Sequence, residues 1–233
     1  MPDVKVFTKN IRVIRENWSL TADGSWSEGL HVVTGAVGSG KSTLALTLAG
    51  LLKPSSGEIQ REGISSVMMV FQDPEFQVTG STVEEECSSW GVDPDAVLQR
   101  INLSGKNSFS IRELSRGELK RLLLECVLSK QYDLLILDEP FSSLDCYEKE
   151  RVSRELSERR HGITVILTHE QSIFPRTDYI WEILDSSLCC RGKMPGALVL
   201  WRSAPSLIKN LILADKIPKN ISPDDLVEAL CRT

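Results

Sequence analysis

The sequence has no long apolar run. No stretch of its 233 residues approaches the roughly 20 consecutive apolar residues that span a bilayer. The opening MPDVKVFTKN has no apolar core of the kind a secretory leader needs. Both absences predict a soluble chain that another protein must anchor if it works at a membrane. An excess of positive charge is missing too: 27 Lys and Arg stand against 32 Asp and Glu, a formal net charge of −5. Nucleic acids and anionic lipid surfaces want a basic face, so neither is an expected partner. The six cysteines, at 87, 126, 146, 189, 190 and 231, form no C-x-x-C pair and no Cys/His set with zinc spacing. Cys189 and Cys190 are adjacent, a poor geometry for a mutual disulfide. Reduced thiols of a cytosolic protein are the expectation. There is no internal repeat and no low-complexity tract.

What is present is 41% apolar residues, enough for one large domain with a real core, or one with a small appendage. Residues 4 to 34 alternate apolar and polar, with interruptions at Asp23-Gly24 and Glu28-Gly29, which predicts a small antiparallel sheet with hairpins. LHVVTG (30–35), VMMVF (67–71), LLILD (134–138) and ITVILT (163–168) read as buried strands. KSTLALTLAGLL (41–52) has helical spacing and is expected to end at Pro54-Ser55-Ser56-Gly57. A charged helix fits 145 to 160. Strands that are continuously apolar and alternate with helices mean a parallel α/β sheet. The block from 73 to 131, polar and then strongly helical, reads as a helical subdomain inserted into it. In the tail, Ser222-Pro223-Asp224-Asp225 opens a short helix with an N-cap, proline at the first position and acids in the first turn.

GAVGSGKS (35–42) fits G-x-x-x-x-G-K-[ST] and lies between a predicted strand and a predicted helix, the context that motif requires. Glycines at 35, 38 and 40 let the backbone of Gly35, Ala36, Val37, Gly38, Ser39 and Gly40 curl so that its N–H groups point inward. Those donors and the positive end of the helix dipole would solvate phosphate oxygens. Lys41 would sit between β- and γ-phosphates, Ser42 would offer its hydroxyl to Mg²⁺, and Thr43 would reach the α-phosphate. In a parallel sheet the ligand lies beyond the carboxyl ends of the strands. LLILDEP therefore delivers Asp138 to the metal, through water, and Glu139 to a water attacking the γ-phosphate.

With these motifs in order, the chain resembles the ATP-binding cassette (ABC) ATPases over residues 4 to 185. VFQDPEFQ supplies Gln72 at the Q-loop position, ELSRGELKR (113–121) resembles the LSGGQ signature, FSSLD (141–145) the D-loop, and LTHE places His169 at the switch-histidine position. The resemblance implies a P-loop NTPase (RecA-like) parallel core with an N-terminal antiparallel β subdomain and an inserted α-helical subdomain. It implies a nucleotide-binding domain over 1–185, with the helical subdomain at about 73–131, and a small C-terminal extension over 186–233. It also implies ATP and Mg²⁺, and a second ABC ATPase subunit closing head to tail, either another copy or a paralogue. Ser115 and the backbone of Gly117 would then touch the γ-phosphate held by the partner. Gln72 would reach Mg²⁺ and the attacking water, His169 the γ-phosphate, and Asp145 would couple the two sites. Arg116 replaces the first glycine of the signature. It either costs on the order of 1 kcal/mol, if a left-handed backbone is needed there, or adds charge near the trans phosphate. The adenine-stacking aromatic is sought among Phe7, Trp18 and Trp26, with Trp18 preferred.

QDPEFQVTGSTVEEE (72–86) resembles the energy-coupling factor (ECF) ATPases, which carry a second glutamine, here Gln77, in a short helix facing the membrane subunits. The tail IPKNISPDDLVEALCRT resembles that family's C-terminal helix. Those relatives energise uptake of vitamins or of cobalt and nickel ions, beside a transmembrane coupling protein and a substrate-binding membrane protein, on the cytoplasmic face of the membrane. The acids Glu84-Glu85-Glu86 also fit a solvated helix start. The alternative is a soluble ABC ATPase of DNA repair or translation. Lys41 and Ser115 are 74 residues apart, too close for a long coiled coil. No zinc-ligand insertion appears, and one cassette is present rather than two.

Overall fold

In the computed structural model, which describes residues 4–231, nine strands form one sheet in the order β4-β1-β2-β9-β8-β3-β7-β6-β5. Met1–Asp3 and Arg232–Thr233 lie outside the described residues, so the start of the MPDVKVFTKN reading and the last two residues of the tail fall there. The strands are β1 Lys5–Arg15, β2 Trp18–Ser27, β3 Gly29–Thr34, β4 Ser56–Glu62, β5 Val67–Val70, β6 Leu134–Asp138, β7 Ile163–Thr168, β8 Tyr179–Leu184 and β9 Ser187–Lys193. β8, β3, β7, β6 and β5 run parallel. β1, β2 and β4 form the antiparallel N-terminal layer. β9 turns back antiparallel on β8 and meets β2 at the single pair Thr21↔Ser187.

β6 is buried at all five positions because helices cover both faces of the parallel core. Leu135 and Leu137 face one apolar cluster, with Val32, Ile166 and Phe141. Leu134 and Ile136 face the other, with Val33, Val165 and Leu44. This two-sided burial makes the run LLILD continuous rather than alternating. The helices are α1 Lys41–Ala49, α2 Val83–Ser89, α3 Pro94–Arg100, α4 Arg116–Leu128, α5 Cys146–Glu158, α6 Ser206–Leu213 and α7 Pro223–Cys231. α2, α3 and the N-terminal half of α4 enclose a third cluster around Val83, Leu98, Ile101 and Leu122. α4 then inserts Leu124, Val127 and Leu128 into the first cluster, so one helix ties the inserted segment to the sheet. Trp201, Ala204, Ile208 and Ile221 of the tail belong to that first cluster too.

Several local expectations need correction. Asp23-Gly24 is no turn; it lies inside β2, and the β1–β2 hairpin turns at Glu16-Asn17, with Glu16 at φ 44°. Gly24 is glycine because the Trp181 ring would stand 2.7 Å from any Cβ there. α1 stops at Gly50, whose φ of 81° lets its N–H reach back to Leu46 and Thr47 carbonyls, short of Pro54. Of the three acids at 84–86, Glu84 and Glu85 are exposed as a solvated helix start requires, and Glu86 is not. Glu85 completes a capping box with Thr82, while Glu86 is fully buried and accepts from the Thr79 and Gly80 N–H groups and from Trp90 Nε1. The Ser222 cap forms as read, its hydroxyl taking the Asp225 N–H at 3.4 Å. The six cysteines are free thiols.

Candidate active site

β3 hands the chain at Thr34 to the loop 35–40, and α1 begins at Lys41. Gly38 and Gly40 sit at φ 79° and 104°, left-handed backbone that side chains resist. Gly35 has no such φ. Its need is space, since a Cβ there would stand 2.7 Å from Ser39 Oγ. The N-cap of α1 is Gly40, which offers no side-chain acceptor, and the first turn carries no acid. The first amides of α1 therefore lack a side-chain partner and point at the space in front of the loop, a favourable seat for an anion. Lys41, 7% exposed, folds back onto the loop, donating to Gly35 O at 3.0 Å and Ala36 O at 3.1 Å. Its Nζ also lies 3.6 Å from Glu139 Oε1.

β6 brings its carboxylates to the same end. Asp138 is 2% exposed. Burial pushes its carboxyl up, opposed by a hydrogen bond with Ser42 and aided by the neighbouring Glu139 charge. Its Oδ1 is buried without a hydrogen-bond partner. A buried carboxylate with a free oxygen beside a serine hydroxyl fits a divalent cation. Among the described residues no cluster of three His, Cys, Asp or Glu could hold a metal by itself. The donor set therefore suits Mg²⁺ that brings phosphate oxygens as its other ligands.

Glu139 follows at φ 48°, a left-handed residue that is not glycine. That turn swings its side chain across the end of β7. Oε2 accepts the Thr168 hydroxyl at 2.9 Å, and Oε1 accepts the His169 N–H at 3.0 Å and faces His169 Nδ1 at 2.6 Å. The carboxylate is thus fixed in direction while the His169 side chain stays half exposed. Val37, Gly38, Gly40, Lys41, Ser42 and Thr43 border a cavity of about 300 Å³, and Gln72, Glu139, His169 and Trp18 face them across it. Trp18 packs over the loop, its ring 2.4 Å from where a Gly40 Cβ would be. Of the other aromatics considered, Trp26 is fully buried and stacks on Trp181, with centroids 4.1 Å apart, and Phe7 pairs with Ser25 and Gln60 inside the antiparallel layer. Ala36 supplies the carbonyl noted for Lys41, while Ser39 contributes a buried hydroxyl without a partner.

Ser115, Gly117 and Asp145 are not brought to this cavity. Ser115 caps α4, its hydroxyl taking the Glu118 N–H, and Asp145 caps α5, taking the Glu148 N–H at 2.9 Å. Gly117 lies against the segment that holds Asp145, where a Cβ would be 2.8 Å from Ser143 O. Arg116 has ordinary helical backbone, so the strain considered for it does not exist; it forms an ion pair with Asp73. Gln77 does not face outward. Its amide donates to Met69 O at 2.7 Å and accepts the Phe71 N–H at 2.9 Å, closing the free edge of β5. Phe76, 79% exposed, takes the outward position.

Sequence reasoning missed Arg15, which lines the cavity, and Thr168, which orients Glu139. A polar residue at the last position of an apolar strand, next to His169, was the available signal for Thr168. It also missed Lys120, which is 1% exposed and donates to Phe71 O and Gln72 O. α4 and α5 are further braced by Arg151, which bonds Glu125 at 2.7 Å and Glu148 at 2.9 Å, both carboxylates almost fully buried.

A strand, a glycine loop and a helix shaped to cradle an anion, with carboxylates arriving from the adjacent end of the sheet, define the P-loop class of nucleotide-binding fold. The sequence profile described as "ABC transporter" matches residues 25–142. The chain belongs to that family. It is 34% identical over 180 residues to the energy-coupling factor transporter ATP-binding protein EcfA1 of Thermotoga maritima, covering 68% of this chain and 69% of that one. It is also 34% identical to a longer Methanosarcina mazei protein, named as an ABC transporter ATP-binding protein, over 62% of this chain but only 34% of that one. The chain thus spans about a third of the length of that relative. Among solved structures, cbiO1 of Clostridium perfringens, part of the ABC transporter complex cbiONQ, superposes with a TM-score of 0.67 at 25% identity, over 89% of this chain and 94% of that one. No helix among the described residues is long and apolar enough to cross a membrane.

Proposed function

We propose that the chain is the ATP-hydrolysing subunit of an energy-coupling-type importer, working as one half of a head-to-tail pair. The observation that carries this reading is the single cavity on which Lys41, Ser42, Gln72, Glu139 and His169 converge, with Asp138 beneath it holding a free buried oxygen. The resemblance to EcfA1 and to cbiO1 supports the importer class.

Phosphate binding would draw Lys41 off the Gly35 and Ala36 carbonyls and onto the β- and γ-oxygens. The amides at the head of α1 would receive the remaining charge. Trp18 would stack on adenine. Mg²⁺, held by Ser42, Gln72 and Asp138, would neutralise charge on the β- and γ-oxygens. Glu139, held by Thr168 and His169, would accept hydrogen bonding from the attacking water. His169, with one ring nitrogen on Glu139, would offer the other to the γ-phosphate. Ser115 and Gly117, remote from their own cavity, would serve the nucleotide on the partner, and Asp145 would link the two sites. The partner is a second ABC ATPase subunit. The pair would sit on the cytoplasmic face of the membrane, on a transmembrane coupling protein with a substrate-binding membrane protein, and drive uptake of a vitamin or a transition-metal ion.

A dilution series tests the composite site. ATP turnover per chain should fall as the protein is diluted, and Glu139→Gln should bind ATP, hydrolyse it poorly and accumulate as a closed dimer. Turnover that stays flat across the series, or a Glu139→Gln monomer that hydrolyses fast, rejects the reading.

A further inference from the structure

α4 carries the signature segment at its head, and its first turns reach across to the residues that leave β5. Three polar ties make the connection. The Arg116 guanidinium pairs with the Asp73 carboxylate. The Lys120 ammonium, 1% exposed, donates to Phe71 O at 3.0 Å and to Gln72 O at 3.1 Å. Arg116 and Lys120 are four residues apart, so they share one face of the helix. Among the described residues no carboxylate lies within ion-pair distance of Lys120. Asp138, Asp73 and Glu139 attract this buried ammonium only from beyond ion-pair distance, so its burial is expensive unless its donors are used, and two of the three go to this segment's backbone. Gln77 holds the same segment from its other side through Met69 O and the Phe71 N–H. Residues 71–73 are therefore fastened at three consecutive positions to the helix that begins with Ser115 as its cap. Arg116 stands where the LSGGQ signature has its first glycine, and the side chain it adds goes to Asp73.

We propose that Arg116 and Lys120 are positioning residues that clasp the Gln72 segment of a chain to that chain's own signature helix, so that nucleotide arriving at Gln72 in one site shifts the Ser115–Gly117 segment presented to the other. This rests on the functional reading above. A chain with glycine at 116 would keep only the Lys120 part of the clasp. The Arg116–Asp73 pair is half exposed and salt-screened, so it sets the tightness of the link. The Lys120 bonds are buried and make the link itself.

The test is hydrogen exchange of the full chain with and without Mg·ATP, in a Glu139→Gln background that holds nucleotide. In that parent, added protection should appear at 35–43, at 71–78 and at 114–121. Arg116→Gly, Asp73→Asn and the double variant should keep the change at 35–43 but reduce that at 114–121, and the double should match either single. Its effect should be up to about fivefold, as for an exposed pair. Lys120→Met should lower the 114–121 response about tenfold or more, the scale of a charged hydrogen bond, and Lys120→Arg should restore part of it. The half-concentration for ATP binding should move less than about twofold in the Arg116 and Asp73 variants, as befits residues outside the cavity. Additive effects of Arg116→Gly and Asp73→Asn, or an undiminished response at 114–121 in all variants, overturn the clasp. If Lys120→Met fails to fold, the Arg116–Asp73 cycle decides. A parent that shows no protection at 35–43 defeats the functional reading instead, which separates the two failures.

Discussion

His31 makes the strand that delivers the phosphate loop sensitive to acid. It lies in β3, is fully buried, and uses both ring nitrogens in the neutral form. Nε2 donates to Ser27 O at 2.7 Å, Nδ1 accepts the Trp181 Nε1–H at 3.0 Å, and the ring stacks on Tyr179. A second proton on Nδ1 would face the Trp181 donor head on. Burial lowers the His31 pKa from 6.5 to about 4, with the Ser27 carbonyl and Asp178 opposing only in part. Between those values the unfolded chain binds a proton at this position and the folded chain does not. Stability is therefore present in full above pH 6.5 and is lost as pH falls toward 4. The gap from 6.5 to about 4, at about 1.4 kcal/mol per pH unit, amounts to about 3 kcal/mol. Urea unfolding at pH 7.5 and pH 4.5, done in parallel on the chain and on His31→Gln, reads the effect. Glutamine keeps a donor and an acceptor but does not titrate. The natural chain should lose about 2 to 3 kcal/mol more than the variant on acidification. Parallel losses in the two proteins would refute the assignment of a neutral, acid-sensitive ring to this site.

Trp18→Ala should weaken ATP about 5- to 150-fold, the scale of base stacking on an aromatic ring, in a fluorescent-nucleotide titration, while Phe7→Ala leaves affinity unchanged. Thr168→Val removes the hydroxyl that orients Glu139 Oε2. It should lower kcat about tenfold or more with KM nearly unchanged, as for a charged hydrogen bond. Arg151→Met strips the shared partner from two buried carboxylates, Glu125 and Glu148. Thermal unfolding should register a loss of about 3 kcal/mol, and a loss below about 1 kcal/mol would mean that Arg100 and Arg121 already suffice.

The sequence displayed those parts whose signal is local. LLILD and ITVILT became β6 and β7 at their expected limits because burial on both faces leaves no exposed position in either strand. The loop 35–40 was legible because its glycines and Lys41 answer to geometry set within the loop itself. What stayed hidden depends on distant contacts. Gly24 looked like a turn residue until Trp181, far along the chain, came to rest on it. Nothing local marks Lys120 as a buried residue; its acceptors, the Phe71 and Gln72 carbonyls, lie almost fifty residues away in the chain. The family resemblance implied a Gln77 facing the membrane subunits, but the unpaired edge of β5 takes its amide. β8 and β9 escaped notice because Glu182 and Arg191 break their apolar patterns, and those two residues pair with each other.

The left-handed backbone at Glu139 has an implication for how this chain would change over generations. A non-glycine residue held there costs about 1 to 2 kcal/mol relative to a relaxed conformation. Glycine at 139 would relieve that cost but strip the acceptor from the buried Thr168 hydroxyl and the His169 N–H, so the two effects oppose each other and heat alone gives a lineage no push away from glutamate.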